Sequence, residues 1–186
     1  MKSLLMFLFS LTFSSLSYSV NYEAEGNLEK TNDVGCIEIS GIKNSYTPAD
    51  LYSGVSECLK TSKYTEGIYL MFAANAYGKF DSYRVLDKTA HQAIIVLRMN
   101  AMGSAPKEKM ISFQKKIDEL VNKNREAFKV SLCEKIGKIQ HPDYYPKYMI
   151  QHGMNAFTDK AAPKIDPNFK PELAWEKVLS EYLKCT

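Results

Sequence analysis

The sequence predicts an all-α fold: a compact, disulfide-stabilised bundle of six to seven helices with a helical hairpin near its N-terminus. Apolar residues recur at helical spacing from Leu51 almost to the C-terminus. Prolines and glycines divide this pattern into segments of ordinary helix length. Four cysteines lie downstream of an N-terminal export signal, and an even number of cysteines in an oxidising compartment favours disulfides.

The export signal occupies residues 1–19. Lys2 supplies the positive charge of a secretory signal peptide, and residues 4–13 supply its short apolar run. Ser17 and Ser19 are the small residues that a signal peptidase reads, so cleavage is expected after Ser19. The apolar run is shorter than the about 20 residues that a membrane span needs. We therefore expect an exported protein, in the bacterial periplasm or secreted, with no stable membrane span in its mature form.

A leader and one domain follow the signal peptide. Residues 20–46 are polar and rich in Glu and Asn, which predicts a mobile leader. Within the leader, residues 36–40 alternate between apolar and polar side chains and are expected to form a short extended segment. Residues 47–186 are predicted to form a single helical domain, which is long enough to bury one hydrophobic core.

The first two helices form the predicted hairpin. Thr47 and Asp50 have the spacing of a capping box around Pro48, which suits the first helical turn. A turn at residues 60–62 separates this helix from a second one, expected over residues 63–77 and closed by Gly78. The apolar face of the first helix comprises Leu51, Val55, Cys58 and Leu59, and that of the second comprises Tyr64, Ile68, Met71 and Phe72.

The later helices are read from the same signals. Residues 88–102 are apolar on most sides and end at Gly103, so this third helix is predicted to be the central one. Residues 107–137 keep helical spacing and form one long helix or two, with a break near residues 122–124. A short helix is expected over residues 147–156, and Pro171 starts the last helix.

Six residues of the hairpin fall at the spacings of a known repeat, although the chain departs from the repeat's residue type at Cys58. The tetratricopeptide repeat places Trp, Tyr, Tyr, Ala, Phe and Ala where this chain has Leu51, Cys58, Tyr64, Gly67, Met71 and Ala74. Residues 51–76 thus resemble a single tetratricopeptide-like helix pair, which implies two closely packed antiparallel helices. In size, export signal, disulfides and helical character, the chain also resembles the small exported immunity proteins that protect bacteria against toxins delivered by rivals.

The four cysteines allow three pairings. We favour Cys36–Cys58 and Cys133–Cys185, because the first bond would tie the leader to the first helix and the second would hold the C-terminal helix against the middle of the chain. Zinc binding is the alternative. It is less favoured because no two cysteines have a C-x-x-C spacing and none lies near a histidine in sequence.

Composition and motifs exclude several function classes. The formal net charge is +3, and acidic and basic residues are interspersed, which argues against a nucleic-acid surface. The chain has no G-x-S-x-G nucleophile elbow, no Gly-rich phosphate loop and no C-x-x-C redox pair. The three histidines lack the short spacing of metal ligands. No cofactor and no metal are therefore predicted.

The most unusual segment is residues 141–153, in which two prolines define a rigid loop rich in tyrosine. Tyrosine combines a large apolar face with a hydroxyl and loses little conformational entropy on binding, so it is favoured at recognition surfaces. The candidate binding residues are His141, Asp143, Tyr144, Tyr145, Tyr148 and His152. The alternative interpretation is that the tyrosines seal the end of a helical core.

A second candidate lies around Arg84 and His91. Asp81, Arg84, Asp87 and His91 are spaced so that they would share one helical face. This cluster could clamp an anion or a substrate, or it could be a capping and salt-bridge cluster at the start of the third helix; the second interpretation is favoured.

Together these observations favour binding over catalysis. We expect an envelope protein that binds another protein, for example as an immunity or inhibitor protein whose loop at residues 143–148 plugs the active site of a toxin or hydrolase. One alternative is a small periplasmic hydrolase with His141 or His152 as general base, oriented by Asp143. Another is a small-ligand carrier with an apolar pocket between helices.

Overall fold

The computed structural model describes residues 24–185, so the predicted signal peptide and its cleavage site lie outside the described residues. This part of the chain contains eight α-helices and no β-strand. The helices are α1 (Pro48–Lys60), α2 (Tyr64–Arg84), α3 (Ala93–Gly103), α4 (Lys107–Ile117), α5 (Arg125–Ile136), α6 (Lys147–Ile150), α7 (Asn155–Thr158) and α8 (Pro171–Lys177). Two 3-10 helices (Ile39–Gly41 and Lys88–Gln92) and two π-helical turns (Asp118–Lys123 and Val178–Tyr182) complete the architecture.

The disulfide-stabilised all-α class is confirmed, although the structure has more helices than predicted. The π-helical turn Asp118–Lys123 divides the long segment into α4 and α5. The short helix expected over residues 147–156 is divided into α6 and α7 near Gly153. A side chain at Gly153 would overlap the carboxylate of Asp87, which accepts the Asn155 backbone N–H at 2.9 Å and so fixes the start of α7.

The capping box that starts α1 is confirmed. The Asp50 backbone N–H donates to Thr47 Oγ1 at 3.1 Å, and the Thr47 backbone N–H donates to Asp50 Oδ2 at 2.8 Å. Asp50 is fully buried because it also holds the preceding segment: its Oδ1 accepts the backbone N–H groups of Thr31 (2.6 Å) and Asn32 (2.8 Å). One carboxylate therefore both starts a helix and positions the chain that leads to it.

The segment before α1 packs on the helices, in contrast to the mobile leader that the sequence predicts. Val34, Ile39 and Ile42 are buried. Instead of the expected extended segment, Ile39–Gly41 form a 3-10 helix whose carbonyl groups accept local hydrogen bonds. The physical reason is that hydrogen bonds to Asp50 and a disulfide to α1 hold this segment against the helices. Its polar composition alone would not pack it there.

The central helix is α2, not α3. It runs past the predicted end at Gly78 to Arg84 and buries side chains on most of its circumference. Gly78 is buried within it, and a methyl group there would overlap Ile94 Cδ1 of α3, so this glycine permits a close helix contact. The prediction that residues 88–102 form the central helix is wrong: α3 buries only one narrow face, and its Ile95 and Met99 are 50% and 63% exposed.

Two disulfides tie the ends of the chain to this core. Cys36–Cys58 joins the segment before α1 to α1 itself, and Cys133–Cys185 joins α5 to the C-terminal end of the chain. The favoured pairing is therefore confirmed, and each bond closes a loop whose freedom in the unfolded chain is lost. As for membranes, within residues 24–185 no helix combines the length and the apolar character that crossing a bilayer requires.

Two glycine substitutions test the close contact between α2 and α3. Alanine is favoured over glycine in a helix by up to about 1 kcal/mol, so Gly103→Ala, where the new methyl group meets open space, should raise the free energy of unfolding slightly. Gly78→Ala should instead lower it by about 1–3 kcal/mol, because Ile94 must move. Urea denaturation of the oxidised protein measures both, and a stabilising Gly78→Ala would contradict the packing described.

Candidate functional site

The candidate site is organised around the Asp81 carboxylate, which is fully buried near the C-terminal end of α2. Its Oδ2 atom accepts hydrogen bonds from the hydroxyl groups of Tyr148 at 2.6 Å and Tyr144 at 2.9 Å. Its Oδ1 atom accepts a hydrogen bond from Arg84 Nε at 2.9 Å. Arg84 can reach it because residues three apart in a helix share a face.

Arg84 is enclosed by aromatic rings as well as paired with Asp81. Its guanidinium lies 5.1 Å from the ring centre of Phe80 and 5.0 Å from that of Tyr144, the geometry of a cation–π interaction. Arg84 Nη2 lies 2.6 Å from Asp81 Oδ1 but is not aligned for a hydrogen bond, so Nε makes the directional contact. The guanidinium is thus committed to an internal carboxylate, which disfavours the anion clamp.

The electrostatics of this cluster keep both tyrosines as hydrogen-bond donors. Burial raises the pKa of Asp81, while the Arg84 guanidinium and the two hydroxyl donors act in the opposite direction by favouring the carboxylate. Burial, together with the charge of Asp81, raises the pKa of Tyr144 and Tyr148 well above the usual value of 10.0. Both hydroxyl groups therefore stay protonated at neutral pH and donate to Asp81.

The remaining members of the second candidate cluster lie elsewhere. Because α2 ends at Arg84, Asp87 is not on its helical face; it caps the 3-10 helix Lys88–Gln92 by accepting the Thr89 N–H at 2.9 Å. His91 Nε2 lies 2.9 Å from the carbonyl oxygen of Val85. The expectation of one shared helical face is therefore wrong: Asp87 caps the 3-10 helix and also fixes the start of α7, and His91 contacts the end of α2.

Two further contacts, besides the two tyrosine–Asp81 bonds, hold the loop at residues 141–148, called the tyrosine loop below. The Tyr77 hydroxyl donates to the carbonyl oxygen of Gln140 at 3.1 Å. The Asp143 backbone N–H donates to the carbonyl oxygen of Asn44 at 3.1 Å. With both of its prolines buried as well, the loop has a defined conformation. Its outer surface carries Asp143, Tyr145 and Lys147, and Tyr145 is 60% exposed.

The three histidines occupy separate environments. The His141 ring stacks on Phe80 with centroids 6.0 Å apart, and its Nε2 lies 3.8 Å from Glu172 Oε1, so Asp143 does not orient it. His152 Nδ1 lies 2.9 Å from Asn27 Oδ1, and burial lowers the pKa of His152. Across residues 24–185, no group of three or more His, Cys, Asp or Glu side chains comes together in a way that could hold a metal ion.

The sequence patterns did not reveal a short strap at residues 24–28 that lies against α6. Leu28 donates its backbone N–H to the Tyr148 carbonyl oxygen at 3.1 Å, and Glu25 pairs with Lys147 at 3.0 Å. The contact between Asn27 and His152 is the third link. Gly26 has φ +89°, and a side chain there would overlap Lys147. A glycine followed by asparagine is a turn signal that could have indicated this bend.

The structure thus divides the predicted binding residues into two groups. Tyr144, Tyr148 and Arg84 converge on Asp81 in the interior, as the core-sealing interpretation anticipates. Asp143 and Tyr145 face solvent, and His141 lies at the edge of a groove beside Trp175. Comparison of the chain with known protein families, with curated proteins and with solved structures finds no match in any of the three.

Removing the charge of Asp81 should be strongly destabilising. In Asp81→Asn the Arg84 guanidinium stays buried without its counter-charge, which should lower the free energy of unfolding by about 3–5 kcal/mol. Tyr148→Phe removes one hydrogen bond to the same carboxylate and should cost about 1.5–3 kcal/mol. Asp143→Asn, on the surface, is the matched control and should change stability by less than about 0.5 kcal/mol. Urea denaturation measures all three, and equal effects would refute the central role of Asp81.

The strap should loosen in mild acid. In the folded protein the pKa of His152 lies below its usual value of 6.5, so the folded state binds fewer protons than the unfolded state does. The stability of the strap therefore rises with pH, and it is lost as the pH falls below about 6.5. Hydrogen exchange of the Leu28 amide, corrected for intrinsic rates, should show less protection at about pH 5 than at about pH 7. His152→Gln, which cannot titrate, should abolish the difference; a difference that persists would assign it to another group.

Proposed function

We propose that this protein is exported to the cell envelope and acts there by binding another protein through the tyrosine loop. An immunity or inhibitor role, in which the loop blocks the active site of a toxin or hydrolase, is the specific form that we favour. The observation that carries the proposal is the display of Tyr145: its ring is exposed while its loop neighbours Tyr144 and Tyr148 are tied to Asp81.

The argument for binding is preorganisation. A loop that must become ordered on binding loses conformational entropy, and fixing it beforehand removes much of that cost. Hydrogen bonds to Asp81 and Asn44, and the bond from Tyr77 to the adjoining Gln140 carbonyl oxygen, already fix this loop. An exposed aromatic ring on a rigid support is the kind of side chain that contributes most to protein–protein affinity. Asp143 and Lys147, on either side of Tyr145, supply a polar rim.

Export rests on two supporting observations. The N-terminal residues have the composition of a secretory signal peptide. All four cysteines are paired, and disulfides form and persist in oxidising compartments such as the bacterial periplasm. The resemblance to small exported immunity proteins is consistent with both.

The hydrolase alternative retains one specific observation. His141 lies beside Glu172 in a groove that also contains Ser180, so a base, a carboxylate and a hydroxyl share one surface. The Ser180 hydroxyl, however, donates to the carbonyl oxygen of Glu176 at 2.8 Å rather than to the histidine. This geometry favours a binding role, and the hydrolase stays the second candidate.

Substitution of Tyr145 tests the binding proposal. The oxidised protein should capture one stoichiometric partner from envelope extract, and Tyr145→Ala should weaken that complex by about 30-fold, the effect of losing an interface residue worth about 2 kcal/mol. Val130→Ala, which removes a similarly exposed side chain from α5, is the control and should bind as the wild type does. Unchanged binding by Tyr145→Ala would contradict the proposal.

The same preparation distinguishes the hydrolase. His141→Ala should leave the affinity for the partner within about threefold of the wild-type value. The His141 ring stacks on Phe80 at the edge of the loop, away from the exposed Tyr145 ring. If the protein has a turnover activity and His141→Ala abolishes it while the fold stays intact, the hydrolase hypothesis replaces the binding hypothesis.

A further inference from the structure

A second surface adjoins the tyrosine loop and has a distinct chemistry. A groove lies between the strap at residues 24–28 and the region of α6 and α7. Lys147, Lys160 and Lys164 line it, and its apolar lining includes Ile150, Ala156 and Phe157. This surface is called the lysine groove below. Phe157 is partly exposed in it, whereas Ile150 and Ala156 are buried and belong to the packed core.

Internal contacts hold two of the three ammonium groups in place. Lys164 Nζ donates to the carbonyl oxygen of Asp159 at 2.9 Å. The aliphatic part of Lys147 lies across Gly26, where any side chain would displace it. The groove therefore presents three positive charges, two of them on side chains held by internal contacts, beside the partly exposed Phe157 ring. This arrangement suits a ligand that carries negative charge and at least one apolar group.

One carboxylate already occupies part of the groove. Glu25 Oε1 lies 3.0 Å from Lys147 Nζ, and the Glu25 side chain is 91% exposed. An exposed ion pair of this kind contributes little stability, so a carboxylate from another molecule can replace it at low cost. The groove therefore already places one carboxylate, that of Glu25, against one of its three lysines.

We propose that the lysine groove binds an acidic segment of the partner protein, an extended stretch with carboxylates for the lysines and an apolar side chain for Phe157. This inference rests on the proposed function and identifies the chemistry of its partner. The two surfaces are neighbours in the chain: Lys147 lines the groove, and its backbone N–H donates to the carbonyl oxygen of Tyr145 at 2.8 Å. One partner can therefore contact Tyr145 and fill the groove together.

A protein segment fits these observations better than an anionic membrane does. The lysines line a groove between the strap and α7, a concave shape that suits an extended chain better than a flat bilayer. Surface-bound proteins typically insert several large apolar side chains into the bilayer, whereas this groove exposes one aromatic ring, Phe157.

Charge reversal tests the proposal with a defined probe. The probe is a fluorescent synthetic peptide, Gly-Glu-Glu-Phe-Glu-Glu-Gly, and the same peptide with Gln in place of Glu is its uncharged counterpart. The oxidised wild-type protein should bind the acidic peptide and not the Gln peptide in fluorescence anisotropy. The variant Lys160→Glu/Lys164→Glu should bind the acidic peptide at least about tenfold more weakly.

A matched control separates the groove from net charge. Lys107→Glu/Lys115→Glu changes two exposed lysines of α4 and alters the net charge equally, and it should bind the peptide like the wild type. The proposal is overturned if the wild type does not bind the acidic peptide or if both double variants lose binding equally. It is also overturned if the wild type binds phosphatidylglycerol vesicles but not the acidic peptide, and Lys160→Glu/Lys164→Glu loses the vesicle binding. The groove would then bind a membrane instead of a protein segment. Tyr145→Ala should leave peptide binding intact, so failure here is distinguishable from failure of the Tyr145-dependent capture.

Discussion

A buried carboxylate near the end of the central helix is the constraint on which the proposed binding surface depends. Burying Asp81 is unfavourable unless its oxygens are satisfied, and Arg84, Tyr144 and Tyr148 satisfy them. The two tyrosines belong to a loop that has little regular structure of its own. Their hydrogen bonds to Asp81 of α2 satisfy the buried carboxylate and at the same time fix the conformation of the loop. The loop conformation in turn determines the position of Tyr145.

The same principle recurs at the start of the hairpin. Asp50 starts α1 and also accepts backbone N–H groups from Thr31 and Asn32, so a second buried carboxylate organises a second irregular segment. The disulfides Cys36–Cys58 and Cys133–Cys185 reinforce both ends of the chain. In this protein, side-chain acceptors and covalent bonds hold irregular segments that helices alone could not define, and one of these segments, the tyrosine loop, carries the exposed Tyr145.

Local signals predicted the local features and the cysteines indicated the two disulfides, whereas the noncovalent contacts between distant residues were not readable from the sequence. The capping box at Thr47 and Asp50 is contained within four residues, so the sequence specifies it. Glycine is common at helix ends, so the sequence predicted a helix end at Gly78. Only the close approach of Ile94 from α3 shows why this glycine lies inside α2. The tyrosine partners of Asp81 lie more than 60 residues away along the chain, at a separation where spacing carries no information. The tyrosine loop could therefore be recognised as unusual, while the division between its inner and outer tyrosines required the fold.

Hydrogen exchange of the tyrosine loop tests most directly whether Asp81 fixes this surface. In the double variant Tyr144→Phe/Tyr148→Phe, the loop keeps its rings but loses both hydroxyl bonds to Asp81. The account predicts that the Asp143 and Lys147 amides, which donate to the carbonyl oxygens of Asn44 and Tyr145, lose protection while amides of α1 keep theirs. Unchanged protection of the loop amides would show that the loop holds its conformation without Asp81, and would contradict the account.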